Sequence, residues 1–378
     1  VADARFPATL PAASAANLTS IPSANLSGAL PAISGSSLTG IVAGPTVSAS
    51  DPTVTTNASL GTQWANSTSG EFFILTDATT GANVWTNVGP GTGDVEPWTF
   101  QGSISGYSSG GSSSNVIEKF SLSSDGNATD IGDLTASKQN VAGQSSLSHG
   151  YVTGGTGNTN VIEKFSFSAD GNATDVGDLT VGRSGHSGQS SETYGYSSGG
   201  SGNSNVIDKF SVSSDGNATD VGNLTLGRGS APASASSPTH GYNAGGHGGS
   251  YTNIIDKFSF SSDGNATDVA DLLATKGSPS GNSSTTHGYC QGSYNGGYTN
   301  AIEKYSLSSD SNSTDVGDLT RSVYGTAAQS STASGYCTGG YTGGHQNVIE
   351  KYSFSSDGNA TDVGDMTSTR HEACGQQV

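Results

Sequence analysis

The phrase Ile-(Glu/Asp)-Lys-(Phe/Tyr)-Ser occurs six times in this chain, with its isoleucine at Ile117, Ile162, Ile207, Ile255, Ile302 and Ile349. Successive copies lie 45, 45, 48, 47 and 47 residues apart, the spacing at which one small supersecondary unit repeats and stacks on its neighbours. A Gly-Tyr pair precedes each copy, at Tyr107, Tyr151, Tyr196, Tyr242, Tyr289 and Tyr336. Each then runs into a near-constant Ser-Ser-Asp-Gly-Asn-Ala-Thr-Asp-Val-Gly-Asp-Leu-Thr.

One copy reads as four short strands. In the second they are expected at 143–147, 150–153, 160–168 and 174–179, with Gly154-Gly155 turning the chain after the second strand. Asp170-Gly171 predicts a primed two-residue hairpin, because such turns need the positive φ that glycine adopts cheaply. A single four-stranded sheet cannot cover both of its faces. Stacked radially, each sheet covers the next, and Val161 and Ile162 can both be apolar. Composition agrees: 56 glycines, 31% apolar residues and no helical spacing of apolar positions suit thin, turn-rich sheets and not a thick helical core.

The order Gly-Tyr-x-x-Gly-Gly, aromatic-bearing strand, hairpin, Leu-Thr-x-x-(Arg/Lys) resembles a kelch repeat, with Asp-Val-Gly-Asp-Leu where the usual fourth-strand tryptophan would stand. Ser123-Ser124-Asp125-Gly126-Asn127-Ala128-Thr129 is similar to the Asp-box hairpin of sialidase propellers, with Asp130 in place of its closing aromatic. Both resemblances imply a propeller. The expected fold is therefore all-β, a six-bladed kelch-like β-propeller over residues 99–378. The terminal Gly375-Gln376-Gln377-Val378 matches Gly143-Gln144-Ser145-Ser146 and is expected to close the ring as a strand of the first blade. Alternatively, 100–104 supplies that strand and a seventh blade follows residue 378.

Residues 46–98, with Trp64, Phe72-Phe73-Ile74-Leu75 and Val84-Trp85, read as a small β-meander domain. Before them, Leu10-Pro11, Asn17-Leu18, Ile21-Pro22, Asn25-Leu26, Leu30-Pro31 and Ser37-Leu38 punctuate a Gly/Ser/Ala background. Leucines so spaced make no core within one chain, so residues 1–45 are expected to be an oligomerising stalk, with three chains around an axis. This tract resembles the stalks of bacteriophage tail fibres. Together, stalk, meander and propeller look like fibre proteins of marine phages, notably those infecting cyanobacteria. Beginning at Val1, the chain reads as a processed protein or part of a longer one.

Net charge −18 argues against a nucleic-acid partner, whose phosphates need a basic face, and no run of eighteen apolar residues predicts membrane insertion. Three cysteines, two of them at matching places (Cys290, Cys337), read as small strand residues with no redox role. Except for Arg5, every basic residue occupies one of two repeat positions. Six lysines follow the acid after Ile: Lys119, Lys164, Lys209, Lys257, Lys304 and Lys351. The others follow Leu-Thr or its variant: Lys138, Arg183, Arg228, Lys276, Arg321 (two positions early) and Arg370. The first set is expected to pair with neighbouring carboxylates and the second to lie near the channel mouth. A sialidase-like site would need an arginine triad, for which Arg183, Arg228 and Arg370 are candidates by number alone; Glu192 and Glu372 are the acids outside the repeat pattern. No catalytic set emerges, and no catalytic residue, metal or cofactor is expected. Asp125, Asn127 and Asp130 have calcium-type oxygens, but turn chemistry accounts for them. Asn127-Ala128-Thr129 and its equivalents are also glycosylation sequons, and His149, His240 and His287 share one place before Gly-Tyr.

Variation between copies points to a site. Between Gly-Gly and the third strand, copies one to three have short loops such as 112–114 and 201–204. Copies four to six are longer and carry His247, Tyr251, Tyr294, Tyr298, Tyr341 and His345 amid Gly, Asn and Ser. Such residues combine rigid aromatic faces with adaptable hydrogen bonding, and these six are the candidate glycan- and receptor-binding residues. The expectation is a non-enzymatic fibre or spike protein on the virion surface, partnered by itself as a homotrimer, by other virion proteins and by a host cell-surface glycan. The rivals are a head or collar fibre without a receptor role, a secreted glycosylated adhesin and a sialidase-like hydrolase.

Overall fold

A computed structural model describes residues 44–89, 95 and 98–378. The expected stalk, residues 1–45, lies almost wholly outside the described residues. Two compact units are present, one ending at Pro97 and the other running from Trp98 to Val378. No helix occurs among the described residues. The chain is all-β.

In the first unit, β1 (Thr46–Ser48), β2 (Gln63–Asn66), β3 (Phe72–Asp77) and β4 (Val84–Asn87) form one sheet in sequence order. It is not a pure meander. The fourteen-residue connection after β1 returns the chain so that β1 and β2 run parallel, while the other pairs are antiparallel. Phe73, Leu75 and Trp85 are buried together under Trp64.

The second unit contains six four-stranded antiparallel sheets. Blade 2 consists of Ala142–Ser145, His149–Thr153, Val161–Ser166 and Thr174–Asp178, from inside outward. Blades 3, 4, 5 and 6 begin with the inner strands Ser187–Ser190, Ala233–Ser236, Ser280–Ser283 and Ala327–Ser330. Blade 1 takes its inner strand from the far end of the chain: Cys374–Gln377 pairs with Ser105–Ser109. Each inner strand packs against the next, and the circuit closes between blades 6, 1 and 2. Residues 100–104 form no strand there and leave the edge to the C-terminus. Closure removes exposed inner edges.

The repeat motif is an instruction for contacting two neighbours. Alternate strand residues face opposite sides of a sheet, so in Ile162-Glu163-Lys164-Phe165 the odd and even positions serve different blades. Ile162 packs with Phe210 of blade 3, whereas Phe165 packs on Tyr107 of blade 1. Lys164 pairs with Asp215 of blade 3, and Glu163 pairs with Lys138 of blade 1 at 2.7 Å. Every blade repeats this. One ring of ion pairs joins each third-strand lysine to the loop aspartate of the next blade, from Lys119–Asp170 round to Lys351–Asp125. A second, deeper ring consists of Lys138–Glu163, Arg183–Asp208, Arg228–Asp256, Lys276–Glu303, Arg321–Glu350 and Arg370–Glu118.

Two expectations need correction here. The second basic set does not lie at a channel mouth; it is clamped between blades, where Thr-x-x-(Arg/Lys) grips the next blade's carboxylate. Thr180 donates its amide (3.0 Å) and hydroxyl (2.6 Å) to Asp208, and Arg183 completes the grip. Nor is Asp-Gly a two-residue primed turn. Residues 167–173 form a longer loop and Gly171 does not adopt positive φ. Its length lets Asp170 reach Lys119 and lets the Asn172 side chain accept the amide of Asp133 at 3.0 Å, both in blade 1. These oxygens staple blades together. The glycine of Gly-Tyr is likewise explained: a Cβ on Gly150 would lie 2.3 Å from the ring of Phe165, its cross-strand partner.

Candidate functional site

The loops that vary between copies all leave the second strand on the side of the ring where the fourth strand crosses to the next blade. In blades 4, 5 and 6 each loop is a short hairpin with an aromatic residue on both sides of a three-residue turn. The pairs are His247 with Tyr251, Tyr294 with Tyr298, and Tyr341 with His345, opposite one another across the hairpin. The turn's central glycine has φ of 91° at Gly249, 75° at Gly296 and 97° at Gly343, where an L side chain would be strained. Aromatic-x-Gly-x-aromatic is thus a signal present in the sequence.

These hairpins bring all six candidate residues into one continuous aromatic track. Ring centroids are 5.1 Å apart for His247 and Tyr251, 6.2 Å for Tyr251 and Tyr294, and 5.8 Å for Tyr294 and Tyr298. The track continues through Tyr298–Tyr341 at 6.1 Å and Tyr341–His345 at 5.6 Å. Tyr294 and Tyr298 are 36% and 38% exposed, high for tyrosines with so many ring neighbours.

Two further members were not anticipated. Tyr324 stacks on Tyr298 at 5.6 Å and touches Tyr294 and Tyr341. His371 lies 4.4 Å from His345, ring to ring. Both directly follow the second-set position in the crossing from one blade to the next, a place first read only for its basic residue. Tyr324 is also held by backbone: its amide donates to the Tyr341 carbonyl at 3.3 Å, and the Tyr341 amide donates back at 2.9 Å.

Between the hairpins of blades 4 and 5 is an open hollow of about 260 Å³ lined by Ser230, Tyr251, Gly277, Ser278, Tyr294, Tyr298 and Tyr324. Hydroxyls and ring faces line it, with no charged group. Its floor is rigid. The amide of each blade-crossing residue donates to a carbonyl of the preceding crossing, through Asn140, Gly185, Ala231, Ser278, Gly325 and Glu372, giving a closed hydrogen-bonded circle around the axis. At the far end of the track, the Ser112 hydroxyl meets Nδ1 of both His345 (3.0 Å) and His371 (3.1 Å). Burial, then the neighbouring His345, pushes the His371 pKa down. Burial raises that of Glu372, opposed by the hydrogen bond from Asn140 at 2.6 Å. Burial also raises that of Tyr324.

The arginines are occupied elsewhere. Arg183, Arg228 and Arg370 are each buried against a carboxylate of the next blade, so their guanidinium groups are unavailable to a substrate carboxylate. Glu192 stands in the turn between the first two strands of blade 3 on the opposite side, away from Glu372. His149, His240 and His287 lie on three separate blades, each within 2.9 Å of its own neighbouring hydroxyl. The described residues hold no group of three or more His, Cys, Asp or Glu placed to bind a metal.

A ring of four-stranded sheets closed by a C-terminal inner strand is a β-propeller. The solved structure of YjhT is similar to this chain with a TM-score of 0.54 at 11% identity, covering 63% of this chain and 86% of YjhT. At that identity the likeness shows the fold alone. No protein-family model matches the chain, and no curated protein matches it.

Proposed function

We propose that this chain is an attachment protein without catalytic activity, the propeller of a virion fibre or spike that holds a host-surface glycan against its tyrosine track. The observation that carries this reading is the asymmetry of the track. Twelve basic residues, six strand-three aromatics and the loop aspartates recur around the ring because each joins two blades. The hairpin aromatics occur on three adjacent blades only, where they add ring contacts across the joints of blade 4 with 5 and 5 with 6. Blades 1 to 3 close the same joints with short loops and no aromatic there, so the ring does not require these rings. Loops on a rigid scaffold are where recognition concentrates, and partly exposed aromatics stack on the apolar faces of sugars. Fibre character rests on the stalk-like leucine and proline pattern before residue 45.

Replacing Tyr251, Tyr298 and Tyr341 together with Ala tests the reading. Adsorption of the protein to host cells is expected to be lost while the melting temperature stays within a few degrees of the parent. A folded triple variant that adsorbs normally would refute it, and would favour a fibre without a receptor role.

A further inference from the structure

We infer that the ligand of the tyrosine track is an uncharged oligosaccharide, recognised by several consecutive sugar units and not by one acidic sugar. This rests on the glycan reading above and narrows it by charge and by length.

The cations of the ring are all engaged. All twelve lysines and arginines of residues 98–378 are already paired with carboxylates. The buried pairs cannot turn towards a ligand without opening a joint, and the six outer lysines pair with the loops between the third and fourth strands, on the side of the ring away from the track. An anionic sugar would be desolvated in the hollow with no cation opposite it, a cost that buried charges escape only by pairing. The hollow offers Ser230, Ser278 and tyrosine hydroxyls instead, which suit the hydroxyls of a neutral sugar. The only ionisable nitrogens along the track are His247, His345 and His371. Of these, His371 is biased towards its neutral form by burial, and its neighbour Glu372 is an acid. At net charge −18 the whole chain also repels polyanions at long range.

The track is long enough for several sugar units. From His247 to His371 the track passes through rings whose successive centroids are 4.4–6.2 Å apart and crosses three blades. One sugar covers one or two ring faces; the remaining faces are used only by further units of the same chain. The ends of the track also differ. The blade 4 end is ring faces around a hollow, and the blade 6 end is the polar group of Ser112, His345, His371 and Glu372, so a bound chain has a direction.

Calorimetry on the full chain would test this with glucose, maltohexaose, cellohexaose and mannohexaose against 3′-sialyllactose and hexagalacturonate. At least one neutral hexasaccharide is expected to bind, at least tenfold tighter than its own disaccharide. That affinity should hold between 50 mM and 500 mM salt and fall at least tenfold in Tyr298→Ala and Tyr324→Ala. Each variant is first checked by melting. Tight binding of an acidic oligosaccharide that is lost in Tyr298→Ala would overturn the inference and leave the glycan site standing. Binding of a neutral hexasaccharide unaffected by either substitution would move the sugar off the track. If no oligosaccharide binds, both the inference and the glycan reading fall.

Discussion

The two rings of ion pairs make opposite energetic demands, and Asp256 separates them. Arg228 and Asp256 side chains are both 0% exposed and 2.5 Å apart. Arg228 also donates to the carbonyls of Gly245 (2.9 Å) and Ile254 (3.1 Å), and Asp256 accepts the amide (3.1 Å) and hydroxyl (2.5 Å) of Thr225. In Asp256→Ala the guanidinium stays buried against backbone carbonyls without its paired carboxylate, with only the more distant Asp268 as countercharge, and Thr225 loses both acceptors. Breaking a buried pair from one side costs about 3–5 kcal/mol. For a ring of this size that is a fall in Tm of roughly 10 °C, at about 2–4 °C per kcal/mol. The matching outer pair is Lys209–Asp263, with the carboxylate 57% exposed. Asp263→Ala should cost about 0–1 kcal/mol, the range for solvated pairs. Replacing both inner partners, Arg228→Met with Asp256→Leu, should recover much of the loss, because the cost is the uncompensated charge and not the absent attraction. Urea unfolding followed by tryptophan-independent circular dichroism measures all three variants. Equal destabilisation by Asp256→Ala and Asp263→Ala, within 1 kcal/mol, would refute the distinction between the rings.

Acid sensitivity should concentrate at His186. It is fully buried, with Nε2 3.0 Å from the Thr153 hydroxyl, and burial lowers its pKa from 6.5 to about 3. The unfolded chain therefore takes up a proton below pH 6.5 that the folded chain refuses until about pH 3. Stability falls with pH across that window by about 1.4 kcal/mol per unit, or about 2 kcal/mol at pH 5. His186→Val, which copies Val141 of blade 2, should flatten the slope of stability against pH by one proton, and an unchanged slope would refute the assignment. Tyr352 donates to Asn282 at 3.1 Å, whereas the Tyr305 hydroxyl is buried without a partner. Tyr352→Phe should thus lose about 1 kcal/mol in urea unfolding and Tyr305→Phe should lose nothing or gain; equal losses would show that Tyr305 has a partner. Removing residues 371–378 takes away the inner strand of blade 1 and bares the edge of Ser105–Ser109. The truncated protein is expected to aggregate on size-exclusion chromatography, and a monodisperse product with the parent's melting curve would contradict closure by the C-terminus.

The spacing of Ile-Glu-Lys-Phe was enough to read the sheets, because a strand with information on both faces has to lie between two others. What the repeat concealed was the partner of each charge. Every lysine sees six equivalent aspartates in the sequence, and identical copies carry no mark of whether a pair forms within a blade or across a joint. Only the deviant copies hold that information, and they hold it in pairs. Blade 4 has Leu273 where its equivalents have threonine, and the missing hydroxyl on Glu303 is supplied by Ser313 of blade 5, where other copies have Ala. Arg321 stands two positions early, and Val323 fills the vacated place while the longer guanidinium still reaches Glu350 at 3.3 Å. Where the strand-three aromatic is Tyr305 or Tyr352, the preceding blade's inner strand carries Ala235 or Asn282; where it is Phe, that strand carries Gln. A gain of volume on one side of a joint is met by a loss on the other, as close packing demands.

The same logic separates the candidate site from the scaffold. Leu273, Ala235 and Asn282 are each answered by a compensating residue across a joint, and Arg321 by Val323 in its own strand. The hairpin aromatics of blades 4 to 6 are met mainly by one another and by Tyr324 and His371, with Ser112 bonded to His345, all on one side of the ring. Tyr324 and His371 escaped the sequence reading because they sit beside conspicuous repeat positions and belong to no motif. Their partners became visible only when the ring brought the crossings of blades 5 and 6 alongside the hairpins. Departure from the repeat thus has two meanings in this protein: a compensated departure maintains a joint, and an uncompensated one that faces outward is where the chain meets something else.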